Sequence, residues 1–111
     1  MNTSAEESKS GVAPEKAANL CSFIANECAA LQLAGLMTIG APDYSGCRAE
    51  DFEALQRCRE EAAKKLELSG GASSLALSMG MSSDFENAIR NGSTSVRVGS
   101  TIFGARNYAA K

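Results

Sequence analysis

The sequence contains no histidine, and none of its four cysteines (Cys21, Cys28, Cys47 and Cys58) forms a Cys-x-x-Cys pair. A structural zinc site needs four close soft ligands, so these absences argue against one. Cys21 and Cys28 lie seven residues apart, on one helical face, and read as small buried hydrophobes. Free thiols of this kind suit a reducing compartment. The net charge is -2, with no basic stripe or Lys/Arg cluster, which argues against nucleic acid and anionic membranes as partners. No apolar run approaches the roughly 18 residues of a spanning helix. Neither a P-loop, which requires GK[ST], nor GxGxxG occurs. The polar, partly acidic opening "MNTSAEESKSG" reads as neither signal nor transit peptide, so the expected compartment is the cytoplasm.

What is present suits one modest core: 111 residues, 44% of them apolar and 22% charged. Pro14 opens a helix, where its missing N–H costs nothing. Ala17, Leu20, Cys21, Ile24, Cys28 and Leu31 then repeat at three- and four-residue steps. "LAGLMTIG" (33–40) reads as a buried strand and "APDYSGC" (41–47) as a loop. A second amphipathic helix spans about 48–66, with Phe52, Leu55, Cys58, Ala62 and Leu66 on its inner face. "SGGASS" (69–74) is a flexible connector, and "LALSM" (75–79) is the next strand. Ser83 and Glu86 have capping-box spacing for a short helix from Asp84, closed by Gly92. "TSVRVGS" (94–100) is the third strand.

Strands alternating with helices predict a parallel sheet with right-handed crossovers, either doubly wound or a (β/α) barrel. Three strands are few for either, and would leave open edges. The chain therefore reads as a single partial domain over residues 1–111.

In the third strand Val96 and Val98 share one face, while Ser95, Arg97 and Gly99 share the other. A lone buried arginine is most simply explained by a carboxylate partner. Its neighbours suggest more. Gly99 and Ser100 end the same strand, and residues 78–82 end the strand before it; in parallel α/β folds, ligands bind at that end. Glycine admits a close backbone approach, and N–H groups and hydroxyls donate to phosphate oxygens. A phosphate between the two strand ends, with Arg97 deeper against the ligand, is the expected arrangement.

The segments "NTSAEESKSG", "GLMTIG", "LSMGMSSDFENAI" and "GSTSVRVGSTIFGAR" closely resemble the pyridoxal 5′-phosphate homeostasis proteins, also described as proline synthetase co-transcribed homologues. The resemblance runs nearly end to end. It implies a (β/α)8 barrel like the N-terminal domain of alanine racemase, and a protein that buffers and delivers pyridoxal phosphate without established catalysis. It implies that Ser78 contacts the phosphate, that Gly99 and Ser100 hold it from the last strand, and that Arg97 faces the pyridine nitrogen. Met79 and Gly80, with Met81, are implied to form the turn around the site.

The family's Schiff-base lysine lies on an early barrel strand, and none of Lys9, Lys16, Lys64, Lys65 and Lys111 follows an apolar strand here. The chain is therefore expected to be the C-terminal half of such a barrel, a truncated, non-enzymatic homeostasis protein that binds the cofactor through its phosphate and ring. The partner expectation is self-association or pairing with a separate N-terminal half. Two alternatives stand beside it. One is an interaction module pairing through its open sheet edge; the other is half of a racemase-type enzyme, which would need the lysine and an opposing acid/base.

Overall fold

A computed structural model describes residues 1–4, 10–40 and 47–107. Residues 41–46 of the expected loop 41–47, Lys9 and Lys111 lie outside the described residues. The elements run α1 (Pro14–Glu27), β1 (Gly35–Met37), α2 (Ala49–Lys65), a 3₁₀ turn (Gly71–Ser74), β2 (Ala76–Met81), α3 (Phe85–Arg90), β3 (Ser95–Arg97) and α4 (Ser100–Phe103). The strands form one parallel sheet in the order β1-β2-β3. The described residues thus form an open α/β sheet and close no barrel.

α2 builds the core. Phe52, Leu55, Cys58 and Ala62 are buried, as their spacing predicts, and pack with Leu36 of β1 and with Leu77 and Met79 of β2. Full burial of a Phe, Leu or Met side chain contributes about 1.5–3 kcal/mol. α1 adds Ala17 and Cys21. It stops at Glu27, short of the expected periodicity: Leu31 is exposed, and so is Leu20. At the start of α2 the buried carboxylate of Asp51 accepts the Arg48 N–H at 2.8 Å, which satisfies one orphan donor of the helix end.

Gly35 and Gly80 are fixed by close approach. A Cβ on Gly35 would lie 2.2 Å from the Ala76 carbonyl oxygen of the paired strand. Gly80 has φ +106°, and its Cβ would meet the Ala88 Cβ of α3 at 2.6 Å. α3 can lie against β2 only because this side chain is missing. The segment before α1 returns to β1: the Met1 amino group donates to the Met37 carbonyl at 2.8 Å, and the Thr3 and Thr38 hydroxyls lie 2.8 Å apart.

Three boundaries differ from expectation. β1 is confined to three residues of the apolar run 33–40. β2 continues through Gly80 to Met81 instead of ending at Met79. β3 stops at Arg97, because the Gly99 N–H turns away from the sheet to the Ser82 hydroxyl and Ser100 opens α4. The expected capping box from Ser83 is also absent. Asp84 occupies the N-cap of α3, and its carboxylate points backwards, to the Met81 N–H at 2.7 Å and the Cys47 N–H at 2.6 Å. Gly92 does follow the helix, with φ +90°.

Candidate functional site at the strand ends

The register places Met37 beside Ser78, Ser78 beside Ser95, and Met81 beside Arg97. Arg97 therefore sits level with the last residue of β2, at the C-terminal edge of the sheet. Its side chain crosses that edge, and Nη2 donates to the Thr38 carbonyl oxygen at 2.8 Å, just beyond the end of β1. The partner is a carbonyl where a carboxylate was the simpler expectation, and Arg97 makes no ion pair among the described residues. The Nε–H is buried and has no hydrogen-bond partner among the described residues. A buried donor without a partner is costly, which makes this atom a ready point for an acceptor on a ligand.

Two residues further on, the chain forms a second donor cluster. The Gly99 and Thr101 N–H groups both donate to Ser82 Oγ, at 3.0 and 3.2 Å. Two backbone donors converging on one oxygen resemble the demand of a phosphate oxygen. Gly99 is exposed, and a Cβ built there meets nothing within 4 Å, so the backbone is open to approach. Ser100 is exposed beside it.

The structure thus brings Arg97, Gly99 and Ser100 to one end of the sheet. It places the other expected residues differently. Ser78 is half-buried three residues before the end of β2, and its carbonyl accepts the Thr38 N–H at 3.1 Å. Met79 is fully buried in the core, and Gly80 is occupied by the contact with α3. These two lie within β2, so the expected turn at 79–81 is strand. The serine that reaches the Gly99–Thr101 backbone is Ser82, four residues beyond Ser78. The signal for it was the alternation of Leu77 and Met79, which continues the strand to Met81.

The neighbouring thiol is held neutral. Burial, then the carboxylates of Asp84 and Asp51, push Cys47 up to about 12, against a smaller opposite effect of Arg97. The described lysines stand elsewhere. Lys16 is on α1 and Lys64 and Lys65 are on α2, all exposed, with Lys65 Nζ donating to Asn19 Oδ1 at 2.7 Å. No helix among the described residues is long and apolar enough to cross a membrane.

Residues 1–107 match the family described as alanine racemase, N-terminal domain. The chain belongs to this family. Relatives named pyridoxal phosphate homeostasis protein include the human one, 47% identical over all of this chain and 40% of its own length. The Caenorhabditis elegans relative is 48% identical over all of this chain and 46% of its own, and the Haemophilus influenzae relative 42% identical over 98% and 45%. A crystal structure of an unknown protein from Bifidobacterium adolescentis superimposes with a TM-score of 0.60 at 40% identity, covering 92% of this chain and 40% of that one. The resemblance read from the motifs is therefore borne out. The chain spans about two fifths of the length of the human relative. The assignment to a C-terminal half does not carry over: the family matched is an N-terminal domain, and the covered share falls short of a half.

Proposed function

We propose that this chain binds pyridoxal 5′-phosphate and serves its homeostasis as a non-catalytic carrier. The observation that carries the reading is the pairing of donors at one sheet end: two backbone N–H groups converging on the Ser82 oxygen, and, two residues before Gly99, a guanidinium whose buried Nε–H lacks a partner. The first fits a phosphate, the second an aromatic ring nitrogen. The names of the relatives supply the ligand that has both. Gly99, Ser100 and Ser82 would hold the phosphate, and Arg97 the ring. Ser78, Met79 and Gly80 shape β2 behind them.

When bound, the group supplies an aldehyde and an electron-accepting pyridine ring. Arg97 tempers the second property. A cation beside a ring nitrogen disfavours its protonation. An unprotonated ring withdraws electrons weakly, which suits a protein that should not consume its cargo. The described lysines stand on the exposed faces of α1 and α2, away from Arg97, and attachment is non-covalent in this reading.

The test is equilibrium binding of pyridoxal phosphate, with inorganic phosphate as competitor, to the chain and to Arg97→Ala. Saturable binding that phosphate displaces and Arg97→Ala weakens supports the reading. Unchanged affinity in the variant, or borohydride trapping of the cofactor on one specific lysine, would overturn it.

A further inference from the structure

We propose that Thr38 is a positioning residue, which aims the Arg97 guanidinium through its backbone carbonyl and sets that carbonyl with its own hydroxyl. The inference rests on the pyridoxal phosphate reading and adds a residue to it.

Arg97 lies on β3 and Thr38 just past β1, with β2 between them, yet Nη2 of the one reaches the carbonyl of the other at 2.8 Å. An arginine side chain carries about 2 kcal/mol of rotamer entropy, so a guanidinium spanning a strand needs an anchor at its far end. The direction of a carbonyl depends on the peptide plane that bears it, and here the plane joins Thr38 to Ile39. That plane is held on both sides. The Thr38 N–H donates to Ser78 O at 3.1 Å. The Gly40 N–H donates back to Thr38 Oγ1 at 3.2 Å, the i to i+2 closure by which a threonine hydroxyl builds a turn. Gly40 completes it at φ +78°, where a side chain would be strained.

The hydroxyl is itself fixed. Thr38 is 2% exposed. Its Oγ1 lies 2.8 Å from Thr3 Oγ1 and 3.4 Å from the Met1 carbonyl oxygen. A continuous path of hydrogen bonds thus runs from Thr3 through the Thr38 hydroxyl and its turn to the guanidinium. With Nη2 held at this carbonyl, the Nε–H has no partner among the described residues and is left for a ring acceptor.

The test compares Thr38→Val, which loses the hydroxyl, with Thr38→Ser, which keeps it, and with Thr3→Val, which removes only its outer partner. Two readouts are taken. The first is the NMR signal of the Arg97 guanidinium in the ligand-free chain, assigned by its loss in Arg97→Lys. The second is titration with pyridoxal phosphate and, separately, with inorganic phosphate. Thr38→Val should release the guanidinium to free rotation and weaken pyridoxal phosphate about five- to tenfold, the loss of one hydrogen bond's orientation, with phosphate affinity within about twofold. Thr38→Ser should behave as the unaltered chain, and Thr3→Val should shift both readouts the same way by less. A guanidinium equally ordered in Thr38→Val overturns the proposal. So does an equal loss of both ligands that Thr38→Ser fails to restore. If Thr38→Val fails to fold, Thr3→Val decides by the same readouts. An unaltered chain that orders Arg97 but ignores pyridoxal phosphate would sink the binding reading alone.

Discussion

The guanidinium of Arg97, on the third strand, is held 2.8 Å from the carbonyl oxygen of Thr38, beyond the end of the first, although the second strand separates them. The sheet edge is thereby crossed by one cation that, among the described residues, donates through Nη2 to this carbonyl while its buried Nε–H has no partner. A lysine cannot do both. Its ammonium is a compact point charge, without the planar fork that lets one donor anchor while another presents itself. Arg97→Lys should retain the fold, judged by circular dichroism, and lose about tenfold or more in pyridoxal phosphate affinity, the cost of a charged hydrogen bond. Retained affinity would show that charge alone suffices.

Two serines separate the rival accounts of the phosphate contact. Ser82 Oγ meets the Gly99 and Thr101 N–H groups, whereas Ser78 lies within β2. Ser82→Ala should weaken inorganic phosphate and pyridoxal phosphate alike, about three- to tenfold, and Ser78→Ala by less than about twofold. Calorimetric titration of both variants checks this, and the reverse order would return the role to Ser78.

Gly80→Ala should destabilise the fold by about 2–4 kcal/mol, from a strained positive φ and overpacking together. The added methyl would lie 2.6 Å from the Ala88 Cβ and 3.1 Å from the Phe85 Cα, so α3 must move off the sheet. Denaturant unfolding measures the loss. A drop below about 1 kcal/mol would mean that α3 shifts freely.

Cys47 supplies a pH signature. Its folded value of about 12 lies above the ordinary 9 of a free thiol, so folding favours the protonated form. That contribution to stability is complete below pH 9 and is lost as the pH rises from 9 through 12. At pH 8.5 its alkylation by iodoacetamide, followed by peptide mass spectrometry, should run far below the rate of a small thiol, because the thiolate reacts. Asp84→Asn removes a carboxylate beside the thiol and should speed the reaction. Equal rates in the two chains would mean that burial acts alone.

Much of this arrangement is legible in the sequence. The spacing of Phe52, Leu55, Cys58 and Ala62 gives the helix and its buried face. The order of strands and helices gives the parallel sheet, and Arg97 with Gly99 stands out beside its neighbours. What the sequence hid were choices among competing hydrogen bonds. Ser83 and Glu86 have the spacing of a cap, but the Asp84 carboxylate binds the N–H groups of Met81 and Cys47, one of them 37 residues away in the chain. β3 looks apolar and extended to residue 100, but the Gly99 N–H finds Ser82 and the strand ends. Ser78 and Ser82 are alike as residue types, and only the true length of β2 decides which stands at its end. Thr38 sits in an apolar run with no local sign that its carbonyl meets an arginine 59 residues later.

The most direct measurement is equilibrium binding of pyridoxal phosphate to the 111-residue chain, with circular dichroism read on the same samples. The account predicts a folded α/β chain that binds the cofactor saturably, releases it to inorganic phosphate, and carries no covalent adduct after borohydride treatment. A folded chain indifferent to the cofactor at millimolar concentration would contradict it.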